Sequence, residues 1–519
     1  MIVKNKLYRI YIYSALCLLF YFSLYFLSQY SISPDSPSYL ENAAIIKGLK
    51  FSQINYTRPL LYSFFIAIVN IVIPSFEISA SVVSLISTVL MMVPLFLLAR
   101  DIFDSKTAYL SVLLTVLYPW ISRYSFQVLP DISYVAIVVF AAYFLRMAIN
   151  RGDRVYYFLS GLFIGLAYLT RNEGIAFAAV VLLLILLNSF YAEDSRLAAC
   201  LKGSGFYLLG LSIMVIPYIY YLYSKTGEWV FTARMGTVSF GIENDFTAFS
   251  VRRTQVEGIY QYICGNLPML FTKYFHNLKL SFCEALPDVV YPFLFPFIIV
   301  GLFAKMAKNK VVNGKIFLLS LAMTPFLIIP FGRVLSRYYM SVIPFSIIFI
   351  SAGIMSLTAW LSNKRFSKAA SIILRRMPVI LAFCVLFLLI SLRPVYHRLL
   401  PLLPIFEVEY KEAGLWARSS LPREAVLYTP VRVIDYYAQL RHKLVRKVGR
   451  WIDETLEPKD ILGLAKNERA PCFLVVQERW PTKTLQPFLD ENRHYPGLVA
   501  VYINSKYKGA KVVIYSILK

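Results

Sequence analysis

The sequence predicts a polytopic α-helical membrane protein with a small α/β domain at its C-terminal end. Three observations point there. The 519-residue chain is 58% apolar and only 16% charged, whereas soluble chains hold roughly 45–50% apolar and about 25% charged residues. The apolar excess is gathered into runs such as Val180–Leu187 and Val379–Ile390, wider than the stripe a helix needs to face a core. Beyond about residue 395 that pattern stops and short alternating runs replace it. The composition excludes intrinsic disorder and a small disulfide-stapled fold.

Taken in order, Tyr11–Leu27 follows Lys4, Lys6 and Arg9 and lacks a small-residue cleavage site, so it reads as a retained first span. Further spans are expected at roughly 79–99, 106–123, 129–147, 155–170, 173–191, 204–224, 286–304, 315–333, 338–358 and 376–393, eleven in all. With the N-terminus cytoplasmic, the inner loops then hold Arg100 with Lys106, Arg146 with Arg151 and Arg154, and Arg196 with Lys202. They also hold Lys305, Lys308, Lys310 and Lys315, then Lys364, Arg365, Lys368, Arg375 and Arg376, as the positive-inside bias requires. Counting the apolar segment 59–73 as a span would throw every later cluster outside, so it reads as a helix lying at the outer interface. The outer side carries the first loop, 29–58, a second loop, 225–286, and everything past 394. The expected division is a membrane module, 1–395, and an α/β domain on the outer side, 396–519.

The net charge of +24 therefore belongs largely to short loops between apolar runs, the usual source of basic excess in bacterial-type membrane proteins, and does not mark a nucleic-acid partner. Cys264 and Cys283 share the second outer loop, where they are either bridged or free. In the C-terminal domain strands are expected at Ala425–Tyr428, Cys472–Gln477, Leu498–Ile503 and Lys511–Tyr515, with helices at Glu407–Ser419 and Thr484–Glu491. The chain contains no GxGxxG and no P-loop, so no nucleotide cofactor is expected.

Acidic residues are scarce before position 400, so each can be weighed. In the first loop, Ser38 and Glu41 form a capping box for a helix reaching about Leu49. That leaves Asp35, near the outer membrane surface, suited to take a proton from a hydroxyl nucleophile. Asp131 follows Pro130 at the outer start of the fourth span, where a helix start by itself suits both residues. At the same level as Asp35 it can also hold a divalent cation of unspecified identity, or share base and metal roles. Thr170-Arg171-Asn172-Glu173-Gly174 is a tight outer turn whose charges either pair with each other or aim Arg171 at an anion. Arg337-Tyr338-Tyr339 opens the tenth span, as anchors in the interface or as phosphate donors. Arg58 precedes Pro59. Three arginines and two carboxylates at one membrane surface suit a lipid-borne phosphate carrying a polar group.

This arrangement resembles the membrane-integral glycosyltransferases of the dolichyl-phosphate-mannose protein mannosyltransferase and aminoarabinose transferase superfamily, the GT-C fold. The matching pieces are Pro34-Asp35-Ser36-Pro37-Ser38-Tyr39, Arg58-Pro59-Leu60-Leu61-Tyr62, Leu97–Phe103, Pro130-Asp131, Gly165–Gly174 and Arg337 through Pro344. Trp416 in a helix and Asp435-Tyr436-Tyr437 look like the small periplasmic domain of bacterial members. The resemblance implies a polyprenyl-phosphate-monosaccharide donor, a glycan, lipid or protein acceptor, and outer-face catalysis with Asp35 as the essential carboxylate. It carries the second acid over to Asp131; beside it, the residues themselves give phosphate binding to Arg58, Arg171, Arg337 and Tyr338, with supporting roles for Tyr39 and Glu173. Asn172 stands where relatives commonly have proline. A lipid-linked-oligosaccharide flippase, a polysaccharide polymerase or another transporter would favour charges within mid-membrane helices; here the charges collect at span ends.

Overall fold

The computed structural model describes residues 31–190, 194–232, 267–306, 314–332, 334–362 and most of 408–518, with a few positions between 14 and 19. They fall into two compact units. Residues 42–232 and 270–362 belong to the first, and 31–41 and 408–518 to the second.

The first unit is helical. Phe76–Ile102, Asp131–Arg151, Lys202–Thr226, Gly314–Phe331 and Val342–Trp360 are each long and apolar enough to cross a membrane. Leu267–Val290 and Pro292–Phe303 form a further apolar pair bent by 78°. The expected spans at 106–123, 155–170 and 173–191 appear as shorter apolar helices, Ser105–Leu117, Arg154–Thr170 and Asn172–Asn188. Those at 11–27 and 376–393 lie outside the described residues, apart from 14–16 and 18–19.

Local chemistry sets the ends. Asp104 accepts from the Thr107 amide at 2.7 Å and Asp153 from that of Val155 at 2.9 Å, while Gly152 ends the preceding helix at φ +67°. Ser105–Leu117 stops because Tyr118, ahead of Pro119, is extended at ψ 124°. Helices Arg154–Thr170 and Asp194–Thr226 approach so closely that a Cβ on Gly161 would strike the Tyr207 carbonyl, and one on Gly210 that of Phe158. Small residues permit such contact where apolar burial alone does not drive helices together.

Three sequence readings change. Arg146 is not a loop charge: it is fully buried, and its Nε donates to Asp101 Oδ2 at 2.7 Å. A cation inside an apolar bundle needs such a partner, and Asn150 Nδ2 completes the group at 3.0 Å from the same oxygen. The outer loop 225–286 is not loop throughout, since helix begins at Leu267 and runs through a π turn, Ser281–Ala285, to Val290. It breaks at Tyr291, whose φ of +56° is strained for a residue with a Cβ; Tyr118 and Trp120 hold the carbonyls of Val289 and Asp288 just before it, at 2.8 and 3.0 Å. In the segment 59–73 only Leu61–Val69 is α-helix, with Tyr62 buried and Phe64, Ile68, Ile71 and Val72 exposed.

The second unit is built on a five-stranded sheet in the order β2-β1-β3-β5-β4, with β1 Val426–Thr429, β2 Arg441–Leu444, β3 Cys472–Gln477, β4 Leu498–Asn504 and β5 Val512–Ile517. β1 pairs in parallel with β2 and β3, and β5 antiparallel with β3 and β4. All four expected strands are present. The sequence reading missed β2, a polar edge strand with no apolar alternation, and the crossover helix Arg432–Ala438 that holds Asp435-Tyr436-Tyr437. Trp416 lies in helix Val408–Ser420 and stacks on Tyr502 at 4.7 Å. The expected helix 484–491 is, among its described residues, a 3₁₀ turn, Gln486–Leu489. Cys283 is a free, exposed cysteine, and Cys264 lies outside the described residues.

Candidate active site

Asp131 reaches its place along an unusual backbone. Between Tyr124 and Asp131 the chain is buried but not helical, so its polar groups need partners from neighbouring helices. Helix Phe76–Ile102 supplies them with a row of hydroxyls. Ser84 Oγ donates to the Gln127 carbonyl at 2.8 Å, Thr88 Oγ1 to Ser125 Oγ at 3.2 Å, and Ser87 meets Ser133 at 2.8 Å. Asp131 then opens helix Asp131–Arg151, with Pro130 at the cap position and not inside the first turn.

The Asp131 carboxylate, 2% exposed, accepts a hydrogen bond from Arg171 Nη1. Arg171 follows the end of helix Arg154–Thr170, and its Nη2 also donates to Glu173 Oε1 at 3.0 Å. One guanidinium thus closes the helical turn and ties it to the start of the neighbouring helix. Burial pulls the Arg171 pKa down, but Asp131 and Glu173 more than offset this and hold it well above its ordinary value. The same guanidinium lies 4.7 Å from the Tyr338 ring centre, and that of Arg337 lies 5.4 Å from it. A phenol ring close to both cations attracts each of them.

Five of the expected residues, Asp131, Arg171, Glu173, Arg337 and Tyr338, therefore come together at one end of the helices. Asp35 and Tyr39 lie in the other compact unit. Arg58 stands, partly buried, in the turn before helix Leu61–Val69. That turn is held by Asn42, fully buried, whose Nδ2 and Oδ1 bond the Asn55 carbonyl and amide at 3.0 and 2.9 Å. Asn55 Oδ1 in turn accepts from Thr57 Oγ1 at 2.6 Å.

The capping box is overturned. The helix runs Ser36–Lys47, so it starts directly after Asp35, and Ser38 lies in its first turn. Ser38 Oγ instead accepts from Arg432 Nη1 at 2.7 Å.

A divalent cation at Asp131 does not fit its surroundings. The carboxylate already faces a guanidinium, and among the described residues no group of three His, Cys, Asp or Glu is placed to hold a metal ion. Two residues were missed. Burial pushes the Tyr124 phenol up, and Arg123 pulls it back, together with Arg337 and Arg171 and against Asp131. Arg123 is thus a third arginine at this cluster. Asp288 faces Arg123 and takes a hydrogen bond from Ser336, next to Arg337. The signal was present in each case: a lone charge at the end of an apolar run, the same reason Arg171 was weighed. The turn is also pinned to the start of the second outer loop, where Asn172 Nδ2 donates to Thr232 Oγ1 at 2.6 Å and the Tyr168 hydroxyl to the Phe231 carbonyl.

A family model described as dolichyl-phosphate-mannose-protein mannosyltransferase matches residues 57–223. That stretch contains Arg58, Asp131, Arg171 and Glu173, and leaves Asp35, Arg337 and Tyr338 outside. No curated protein sequence matches the chain. Among solved structures, ArnT from Cupriavidus metallidurans bound to undecaprenyl phosphate is 15% identical, with a TM-score of 0.57 over 96% of this chain and 97% of that one. The oligosaccharyltransferase AglB from Archaeoglobus fulgidus, in complex with an inhibitory peptide and a dolichol-phosphate, is 15% identical with a TM-score of 0.51, covering 98% of this chain and 74% of its own. Arabinofuranosyltransferase AftD from Mycobacteria gives 12% and 0.55, over 99% of this chain and 40% of that one. At such identities the likeness establishes the fold. The chain shares the fold of these proteins, and here it comprises a module of apolar, membrane-length helices and a small C-terminal sheet domain.

Proposed function

We propose that the protein is an inverting glycosyltransferase that moves a monosaccharide from a polyprenyl-phosphate donor to a hydroxyl acceptor at the outer face of a bacterial inner membrane. The observation that carries this reading is the joining of Asp131, Arg171, Glu173, Arg337 and Tyr338 into one charged cluster on a fold shared with ArnT and AglB. Those two proteins were solved with undecaprenyl phosphate and with a dolichol-phosphate. In this reading the chain crosses the membrane eleven times from a cytoplasmic N-terminus, with the module 1–395 embedded and the domain 396–519 periplasmic. The exposed apolar side of helix Leu61–Val69, Phe64 and Ile68, rests in the outer interface.

The lipid tail lies between helices and the donor phosphate meets Arg58, Arg337 and the outer side of Arg171, with Tyr338 beside them. The acceptor hydroxyl attacks the anomeric carbon, Asp35 takes its proton, and the bond to phosphate oxygen breaks. Charge developing on the departing phosphate is met by Arg58, Arg337 and Arg171, the last held in place by Asp131 and Glu173. One displacement inverts the anomeric centre. Tyr39 supports the loop that carries Asp35.

The test is a donor screen. Purified protein is supplied with undecaprenyl-phosphate monosaccharides of different hexoses and pentoses and an extract of envelope acceptors, and release of the lipid phosphate is followed. Release with one or a few sugars is expected. No release with any donor, alongside translocation of a lipid-linked oligosaccharide across vesicles, would move the assignment to a flippase.

A further inference from the structure

The C-terminal domain has been given no task in the reaction, yet one of its side chains reaches the first loop. Arg432 Nη1 donates to Ser38 Oγ at 2.7 Å, across 394 positions of sequence. Ser38 is 2% exposed and stands three residues after Asp35, in the first turn of helix Ser36–Lys47. Ser36 is fully buried there, and its amide bonds the Ser33 carbonyl at 2.8 Å. Pro34 and Pro37 restrict the backbone on either side of Asp35. Little in the turn can move unless the first turn of the helix moves with it.

The place Arg432 comes from matters as much. It opens helix Arg432–Ala438 just past the carboxyl end of β1, where Thr429 Oγ1 accepts from the Val431 amide at 3.1 Å and fixes the exit. From β1 the chain passes to β2 on one side and then to β3 on the other, all three parallel. The crevice at the carboxyl ends of β1 and β3 is a topological switch point, where open α/β sheets hold their ligands. Gln477 ends β3 at that edge, and its Oε1 accepts from the Tyr410 hydroxyl at 2.7 Å. In this domain the arginine at the switch point is bonded to the chain's own first loop.

We propose that Arg432 is a positioning residue for Asp35: the C-terminal domain uses the carboxyl edge of its sheet to set the first-loop helix, and through Ser38 it sets the proposed base. This rests on the reading of Asp35 as the proton acceptor. Misplacing a catalytic group by about an ångström costs on the order of a hundredfold in rate, so a bond that fixes a loop can matter out of proportion to its strength.

The experiment uses full-length, purified protein and a polyprenyl-phosphate monosaccharide that wild type turns over. Arg432→Ala, Arg432→Lys, Ser38→Ala, the Arg432→Ala/Ser38→Ala double variant and Asp35→Asn are compared for kcat, donor KM and melting temperature. Arg432→Ala is expected to lower kcat roughly tenfold with donor KM within about twofold. Lys should recover part of this, and the double variant should be no slower than the slower single, since both remove one bond. If Arg432→Ala does not fold, Arg432→Lys and Ser38→Ala carry the comparison. Wild-type kcat in Arg432→Ala or in Ser38→Ala, or losses that multiply in the double variant, would overturn the proposal while an inactive Asp35→Asn left the glycosyltransferase reading standing. Full transfer by Asp35→Asn would overturn both.

Discussion

Asp131 and Asp35 each stand at the start of a helix, one in the membrane unit and one in the unit of the C-terminal sheet, and the chain has given them different neighbours. Asp131 is buried and bonded to a guanidinium. The charge-assisted bond occupies the Asp131 carboxylate and fixes the guanidinium against it. Asp35 is partly exposed, on a turn between two prolines. In the proposed mechanism the two take different roles: Asp131 orients Arg171, and Asp35 accepts the proton of the nucleophile.

The largest expected effect breaks the comparison at Asp35. Asp35→Asn keeps the size of the side chain and removes the acceptor, so transfer should fall by roughly 10²–10⁴-fold, the range for a positioned general base. Melting temperature and the elution profile in detergent should stay close to wild type. Sugar transfer by equal amounts of monodisperse protein measures it, and undiminished turnover would return the base role to another residue.

Asp131→Asn should cost less and fail differently. The amide still accepts a hydrogen bond from Arg171, but the charge pairing is lost. A hydrogen bond to a charged group contributes about 1.5–3 kcal/mol, so a fall of roughly tenfold to a hundredfold in kcat/KM is expected. Because the Arg171 guanidinium already faces the carboxylate, raising magnesium or manganese should recover none of it. Recovery by a divalent metal would show that Asp131 serves as a ligand in the working enzyme.

How much of this was legible follows from where the signal lies. The long helices and four of the strands were readable because apolar period and length are properties of a single segment. Five of the clustered residues were readable because a charge at the edge of an apolar run is conspicuous. Their partners were not. Nothing local says that Arg146 is buried against Asp101, or that Arg171 meets Asp131 as well as its neighbour Glu173, since both pairings cross between helices. Ser38 shows the same limit from the other side. Ser-x-x-Glu is a sound capping signal, but the helix begins three residues earlier than it implies, at Ser36, and a residue nearly four hundred positions away takes the hydroxyl. Arg123 and Asp288 carried the same signal as Arg171 and were passed over for lack of a matching motif.

The smallest expected effect sharpens the comparison within the arginines. Arg171 is fixed by two carboxylates, whereas the ring of Tyr338 lies beside both it and Arg337. If Arg337 meets the donor phosphate, its planar fork matters as well as its charge. Arg337→Lys keeps the charge and shortens the reach over the ring, where a cation–π contact is worth about 0.5–2 kcal/mol. Donor KM should therefore rise about threefold to tenfold with kcat nearly unchanged, and Arg337→Ala should raise it further. Arg171→Lys should be worse than Arg337→Lys, because lysine lacks the two separate nitrogens with which Arg171 reaches Asp131 and Glu173. Steady-state kinetics at varied donor, with the acceptor saturating, separate these outcomes. Equal donor KM for wild type and Arg337→Ala would remove Arg337 from the phosphate site and leave it a residue that packs Tyr338 against Arg171.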